Sequence, residues 1–283
     1  MITPTSNKKI VWLASFPKSG NTWLRLFLYS YLQGLKQIEP NEAVKNQLID
    51  SSANLYKKYV DFSLQKTSKE FLIQVAKARC AVQKNISCSS GSAVTTIKTH
   101  TQHVNWNNSP TFDFSTAAGA IYIVRNPLDV VISLAPQIGS NIDDAIKQLN
   151  SPNFALAGQG NVPQCIGNWS SNILSWYNNK QIPTHFIRYE DMLRTPYTTF
   201  GNALRFLKIE SNRSRLENAI SATNFNKLKK IEKEKGFVEA SNKSGGFFRN
   251  GMEGSWRDVL SKKQIKTIID SNKEVMGLFD YSL

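Results

Sequence analysis

An α/β fold, a three-layer sandwich around a central and mostly parallel sheet, is predicted by short apolar runs, by the polar or charged residues that close each run, and by helical composition between them. The runs cover residues 10–14, 94–97, 121–124 and 185–189. In an open sheet of this kind ligands gather beyond the carboxyl ends of the strands, so the residues just after each run are the first candidates for function.

The first run leads into Phe16, Pro17, Lys18, Ser19 and Gly20 and then into a helix over 21–32, apolar nearly all round and therefore buried. Across 39–83 the apolar residues, among them Phe71, Leu72, Val75 and Ala78, are spaced for amphipathic helices, and segment 39–90 reads as a helical cap on the sheet. The run at 121–124 is followed by Asn126 and Pro127, with Pro127 placed for a first helical turn and a helix over 128–134. Further helices are predicted over 162–177 and 197–207. Ser261 with Gln264 forms a capping box for a last helix that turns Ile265, Ile268, Ile269, Val275 and Met276 inward. Residues 235–257, rich in Gly, Ser, Asn and Lys, read as a long loop. No polar or Gly/Pro-rich linker divides the 283 residues, which predicts one domain over 1–283.

The 35 Lys and Arg outnumber the 21 Asp and Glu, giving a net charge of +14 that favours an anionic ligand. Part of this charge is solvated surface: Lys227, Lys229, Lys230, Lys233 and Lys235 are interspersed with Glu232 and Glu234. Cys80, Cys88 and Cys165 lack metal-ligand spacing and are read as packing residues, so neither a disulfide framework nor a zinc site is expected. The apolar stretch 23–32 is too short for a membrane span and is interrupted by Arg25; the N-terminus has no secretory pattern, so a cytoplasmic protein is expected.

After the first run, backbone N–H groups at a helix start, Gly20, the hydroxyls of Ser19 and Thr22 and the charge of Lys18 make a cradle for a phosphate or sulfate. In the ATP-binding version of such a loop a lysine follows the last glycine directly. Here Asn21 holds that place and the lysine lies two residues before Gly20, which weakens a Mg-nucleotide reading.

The string Phe16-Pro17-Lys18-Ser19-Gly20-Asn21-Thr22-Trp23 resembles the 5′-phosphosulfate loop of the sulfotransferases that use 3′-phosphoadenosine 5′-phosphosulfate (PAPS), the cytosolic type in particular. Residues 121–133 are similar to the family's 3′-phosphate element, with Arg125 and Ser133 in the phosphate-holding slots. Lys98-Thr99-His100 is similar to the family's Lys-Thr-His, and 248–256 to the loop that closes over the nucleotide, with Arg249, Asn250 and Gly251 in its phosphate-binding part. Tyr189, Thr223 and Phe225 match adenine contacts. The resemblance covers residues 9–257, diverging between the first helix and Thr95. It implies a fold like that of the P-loop nucleoside triphosphate hydrolases, PAPS as donor, adenosine 3′,5′-bisphosphate (PAP) as product, a small-molecule acceptor, and no metal or nucleic acid. Asn250 replaces a lysine of the family pattern, which implies weaker 3′-phosphate affinity; Ser255 replaces an aspartate, and the family's dimer motif is not found in 262–270.

The chemistry fits the residues. A sulfuryl group in transfer spreads negative charge over its oxygens and the leaving phosphate oxygen, so fixed cations there favour the transition state. Lys18 is the first candidate and Lys98 the second. A histidine suits proton removal near neutrality, and His100 is the proposed base, with His103 its rival. His185 at a strand start and Trp169, Trp176 and Trp256 are assigned to packing, while Trp23 and Phe225 divide between packing and an adenine platform. A Mg-ATP-dependent small-molecule kinase and a non-catalytic polyanion-binding module are the competing readings. The acceptor has no decodable signature: a phenol, steroid, sugar, lipid or amine all fit.

Overall fold

The computed structural model describes residues 1–5, 7–45, 47–158, 160–240 and 245–281. The chain forms two compact units, each assembled from separate stretches: Met1–Phe16, Leu48–Tyr122 and Ser151–Phe186 make the first, and Pro17–Gln47, Ile123–Asn150 and Ile187–Leu283 the second.

The first unit is built on strands β1 (Ile10–Ser15), β2 (Leu48–Ile49), β3 (Thr95–Thr99), β4 (Ala117–Val124) and β5 (Thr184–Arg188); the last residues of β4 and β5 pass into the second unit. They form one five-stranded sheet in the order β2-β3-β1-β4-β5. β1 and β3 run parallel, Ile10 opposite Thr95 and Ala14 opposite Thr99, and β2 pairs parallel to β3 with Leu48 opposite Ile97. The α/β class and central parallel sheet expected from the apolar runs are therefore present. Every residue of β1 and β4 is buried, which is why both read as unbroken apolar runs instead of alternating patterns.

Some boundaries differ from expectation. β4 starts at Ala117, where small residues hide the strand signal, and Tyr189 opens the helix Tyr189–Arg194 instead of closing β5. Segment 39–90 contains the helices Pro40–Lys45, Ala53–Tyr56 and Lys69–Ser89, but β2 interrupts it. The longest of these helices is capped by Ser68 and buries Phe71, Val75, Ala78 and Val82 in a cluster with Tyr56, Val60 and Val162. The helix predicted over 162–177 is shorter, Trp169–Tyr177. Pro163 has no N–H to give a helix, Gln164–Cys165 pairs antiparallel to Ala155–Leu156, and Gly167 turns the chain at φ 68° before Asn168 caps the helix. Of the cysteines only Cys165 is buried; Cys88 is exposed, so packing does not account for it.

In the second unit α1 (Asn21–Gln33) buries Leu24, Leu26, Phe27, Leu28 and Tyr31. Helix α2 (Pro127–Ile138) starts at an Asn126 cap and ends at Gly139, beyond the predicted 134 and in spite of Pro136. Helix α3 (Phe225–Lys235) buries Leu228 and leaves Lys227, Lys229, Lys230, Lys233 and Lys235 exposed, the solvated face expected from their spacing. Helix α4 (Lys262–Leu278) has both bonds of the Ser261–Gln264 capping box and buries Ile268, Val275 and Met276, with Ile265 and Ile269 half-buried. The predicted loop 235–257 is anchored by Phe237 and Phe248, which join Leu26, Ile38, Val44 and Leu228 in one cluster. Residues 241–244 of that loop lie outside the described residues. Among the described residues no helix is long and apolar enough to cross a membrane.

Candidate active site

The loop after β1 takes Lys18 through φ 66° and Gly20 through φ 102°. A Cβ at Gly20 would stand 2.6 Å from the Tyr189 ring, so glycine is required there by both backbone and space. Gly20 is the N-cap of α1 and, having no side chain, supplies no side-chain cap to the first turn. Ser19, 1% exposed, has a hydroxyl without a hydrogen-bond partner among the described residues. Lys18 holds its ammonium 4.4 Å above the Phe247 ring.

Not every predicted donor is presented in the same way. The Thr22 hydroxyl donates to Glu239 Oε2 at 2.9 Å, and Glu239 also pairs with Arg25 at 2.8 Å. Thr223 is fully buried and commits its proton to the Ala219 carbonyl at 2.7 Å, which places it in the end of the helix Arg213–Ala222. Trp23 packs edge-on against Tyr189 and Phe200, and Phe225 edge-on against Phe248, so both are packing residues whatever else they touch. Asn21 is buried at the head of α1.

A second group of the predicted site residues forms around Arg125, only 7% exposed. Its Nη1 donates to the Lys18 carbonyl at 3.0 Å and lies 3.4 Å from the Ser133 hydroxyl; Nη2 donates to the Met252 carbonyl at 3.2 Å; the guanidinium rests 4.2 Å above the Tyr189 ring. Arg249 reaches the carbonyl of Ile132, next to Ser133, at 3.4 Å. Arg249, distant in sequence, is thus brought to Arg125 and Ser133 along α2, while Asn250 is exposed. Gly251, at φ 61°, lies on the Phe225 ring, where a Cβ would come within 2.2 Å.

Acidic residues that sequence reasoning passed over hold this loop. Asp129, 2% exposed, accepts the N–H groups of Gly254 at 2.7 Å and Trp256 at 3.1 Å. Glu232 accepts those of Phe247 at 2.6 Å and Phe248 at 2.8 Å, and Lys229 donates to the Arg249 carbonyl at 2.7 Å. The role of Asp129 needs the tertiary fold, because Gly254 lies 125 residues away in sequence. Asp129→Ala orphans two amides, and limited proteolysis is expected to nick residues 245–256 about tenfold faster while far-UV circular dichroism stays unchanged.

In the first unit, His100 follows β3. Its Nδ1 lies 2.7 Å from the Ser15 carbonyl oxygen, with the Ser15 hydroxyl at 3.2 Å. A carbonyl can only accept, so Nδ1 carries the proton and Nε2 is the basic nitrogen. The rival His103 has its ring edge-on to Phe114 at 4.7 Å, beside Phe112, and burial lowers its basicity. His185 is half-buried on β5 and is likewise made less basic by burial. Lys98 lies in β3 opposite Leu13, half-buried, between the buried Ile97 and Thr99. Trp169, Trp176 and Trp256 are buried, as their assignment to packing requires.

Residues 8–280 match the sulfotransferase domain. The chain belongs to the sulfotransferase family. Among its relatives, flavonol 3-sulfotransferase of Flaveria bidentis is 23% identical across 94% of this chain and 81% of its own length. Cytosolic sulfotransferase 13 of Arabidopsis thaliana is 21% identical across 93% and 75%. The fold of this sulfotransferase is shared by a mouse sulfotransferase complexed with PAP, at TM-score 0.58 and 20% identity over 95% of this chain and 84% of that one. Retinol dehydratase, in complex with androsterone and PAP, aligns at TM-score 0.61 and 16% identity over 94% and 80%. The α/β layout expected from the sequence is shared with these structures.

Proposed function

We propose that this sulfotransferase takes a sulfuryl group from PAPS and passes it in line to a hydroxyl or amine of a small acceptor, with His100 as base. The observation that carries the donor assignment is the pairing, within one unit, of an uncapped α1 N-terminus beside Lys18 with the Arg125–Ser133–Arg249 cluster. These are two places for anionic groups, as an adenosine carrying 5′ and 3′ anions needs. The PAP in the related structures supports the same reading, and androsterone in one of them supports a small acceptor.

Bound PAPS supplies a sulfuryl group activated by its phosphosulfate anhydride. Lys18, the Ser19 hydroxyl and the first amides of α1 hold the 5′ anion and stabilise the charge that gathers on the leaving phosphate oxygen as its bond to sulfur breaks. Lys98 adds a second cation. His100 Nε2 takes the acceptor proton as the acceptor's electron pair forms the new bond to sulfur. Tyr189 and Phe225 flank the adenine. Acceptor choice is assigned to segments 39–90 and 101–110, and a cytoplasmic setting is proposed from the relatives named cytosolic.

Isothermal titration tests the donor. PAP is expected to bind about 100-fold or more tighter than 5′-AMP, because the 3′-phosphate meets charged donors, and without need of magnesium. ATP binding as tight as PAP binding, dependent on magnesium, would favour the kinase reading instead. Affinity for any polyanion with a steep salt slope and no sulfate transfer to an acceptor panel would favour the binding-module reading.

A further inference from the structure

Asp50 follows the edge strand β2 and is 4% exposed. Its N–H donates to the Lys98 carbonyl at 3.0 Å, and its own carbonyl accepts the Tyr56 hydroxyl at 3.0 Å. One carboxylate oxygen, Oδ2, accepts from Thr99 Oγ1 at 2.8 Å, from Thr101 Oγ1 at 3.1 Å and from Arg79 Nη1 at 3.4 Å. Arg79, 1% exposed, is held in turn by the Pro163 carbonyl at 2.6 Å. The residue between the two threonines is His100. Its remaining freedom is removed by Gln164, which accepts the His100 N–H at 3.3 Å, by Asn172, which donates to its carbonyl at 3.0 Å, and by the Ser15 carbonyl on Nδ1.

This network is a poor device for stability alone. Asp50 Oδ1 and Arg79 Nε have no hydrogen-bond partner among the described residues, and burial pushes the Asp50 carboxyl upward against the pull of Arg79. A partly satisfied buried ion pair generally costs stability relative to an apolar core of the same volume. What the pair does provide is a fixed point that ties down both neighbours of one histidine.

We infer that Asp50 is a positioning residue: by accepting from Thr99 and Thr101 on one oxygen it fixes the backbone on either side of His100 and so aims the imidazole. The inference rests on the reading of His100 as the base. A displacement on the order of 1 Å at a reacting group costs about 100-fold in rate, which sets the scale.

The test uses the full chain, with PAPS, an acceptor found by the transfer screen, and four variants. Thr99→Val combined with Thr101→Val removes both ties without altering charge, and is expected to lower kcat about 10- to 100-fold with both KM values and PAP affinity within about twofold. Thr99→Ser combined with Thr101→Ser keeps the hydroxyls and is expected to stay within about threefold of wild type. Asp50→Asn is expected to follow the valine pair; should it fail to fold, the two threonine pairs decide the matter. The inference is overturned if the valine pair keeps kcat within about twofold while His100→Gln abolishes turnover. Turnover retained in His100→Gln would instead overturn the base assignment, and this inference with it.

Discussion

Arg125→Ala is expected to weaken PAP binding by about 100- to 1000-fold, measured by isothermal titration. The guanidinium is buried, fixed by the Lys18 and Met252 carbonyls and laid on the Tyr189 ring, so it is held in place before any ligand arrives. A hydrogen bond to a charged group contributes about 1.5–3 kcal/mol, and losing two such bonds to a phosphate near the low end of that span, about 3–4 kcal/mol in all at about 1.4 kcal/mol per factor of ten, gives that range. The variant also frees the Met252 carbonyl and loosens the covering loop, which adds to the loss. Affinity for 5′-AMP, which has no 3′-phosphate, should fall far less. Arg125→Lys should recover only part of the affinity, because an ammonium cannot reach the Lys18 and Met252 carbonyls and a phosphate with one planar fork. PAP affinity within threefold of wild type in Arg125→Ala would overturn the assignment of the 3′-phosphate site.

What the sequence made legible was local or periodic. The unbroken run of β1 announced a buried strand, the Gly20 after it announced the start of α1, and the Ser261–Gln264 capping box announced α4. Arg125, Ser133 and Arg249 could be grouped only through a family pattern, since nothing in their own neighbourhoods shows that they meet. Edge strand β2 escaped because two residues of strand carry no period, and they fall in a segment whose apolar spacing is helical. The supporting carboxylates escaped for a related reason. Asp129 and Gly254 are 125 residues apart, Thr22 and Glu239 217 apart, and a lone acid in sequence looks like any solvated acid until the fold buries it. The same burial separates the histidines: His103 lies three residues beyond the Lys98-Thr99-His100 string, and only the Phe112 and Phe114 rings show it to be part of an aromatic cluster.

The largest loss is expected from His100→Gln: kcat for sulfate transfer should fall about 10²- to 10⁴-fold, the usual contribution of a positioned general base. Glutamine keeps a donor that can reach the Ser15 carbonyl but places no basic nitrogen where Nε2 stood, so the change removes proton acceptance more than packing. PAP affinity should remain within about twofold, because His100 is asked to handle the acceptor's proton and not to bind the nucleotide. The wild-type rate should fall on acidification as Nε2 takes up a proton from solvent and can no longer accept one. That acid limb should vanish from the residual rate of the variant, a signature that a simple loss of packing would not produce. His103→Gln provides the contrast. Its ring is held against Phe114 and burial lowers its basicity, so this variant should lose thermal stability before it loses turnover. If instead His103→Gln stopped the reaction while His100→Gln ran at the wild-type rate, the proton would have to be leaving by the aromatic cluster, and the tautomer fixed by Ser15 would have no part in catalysis.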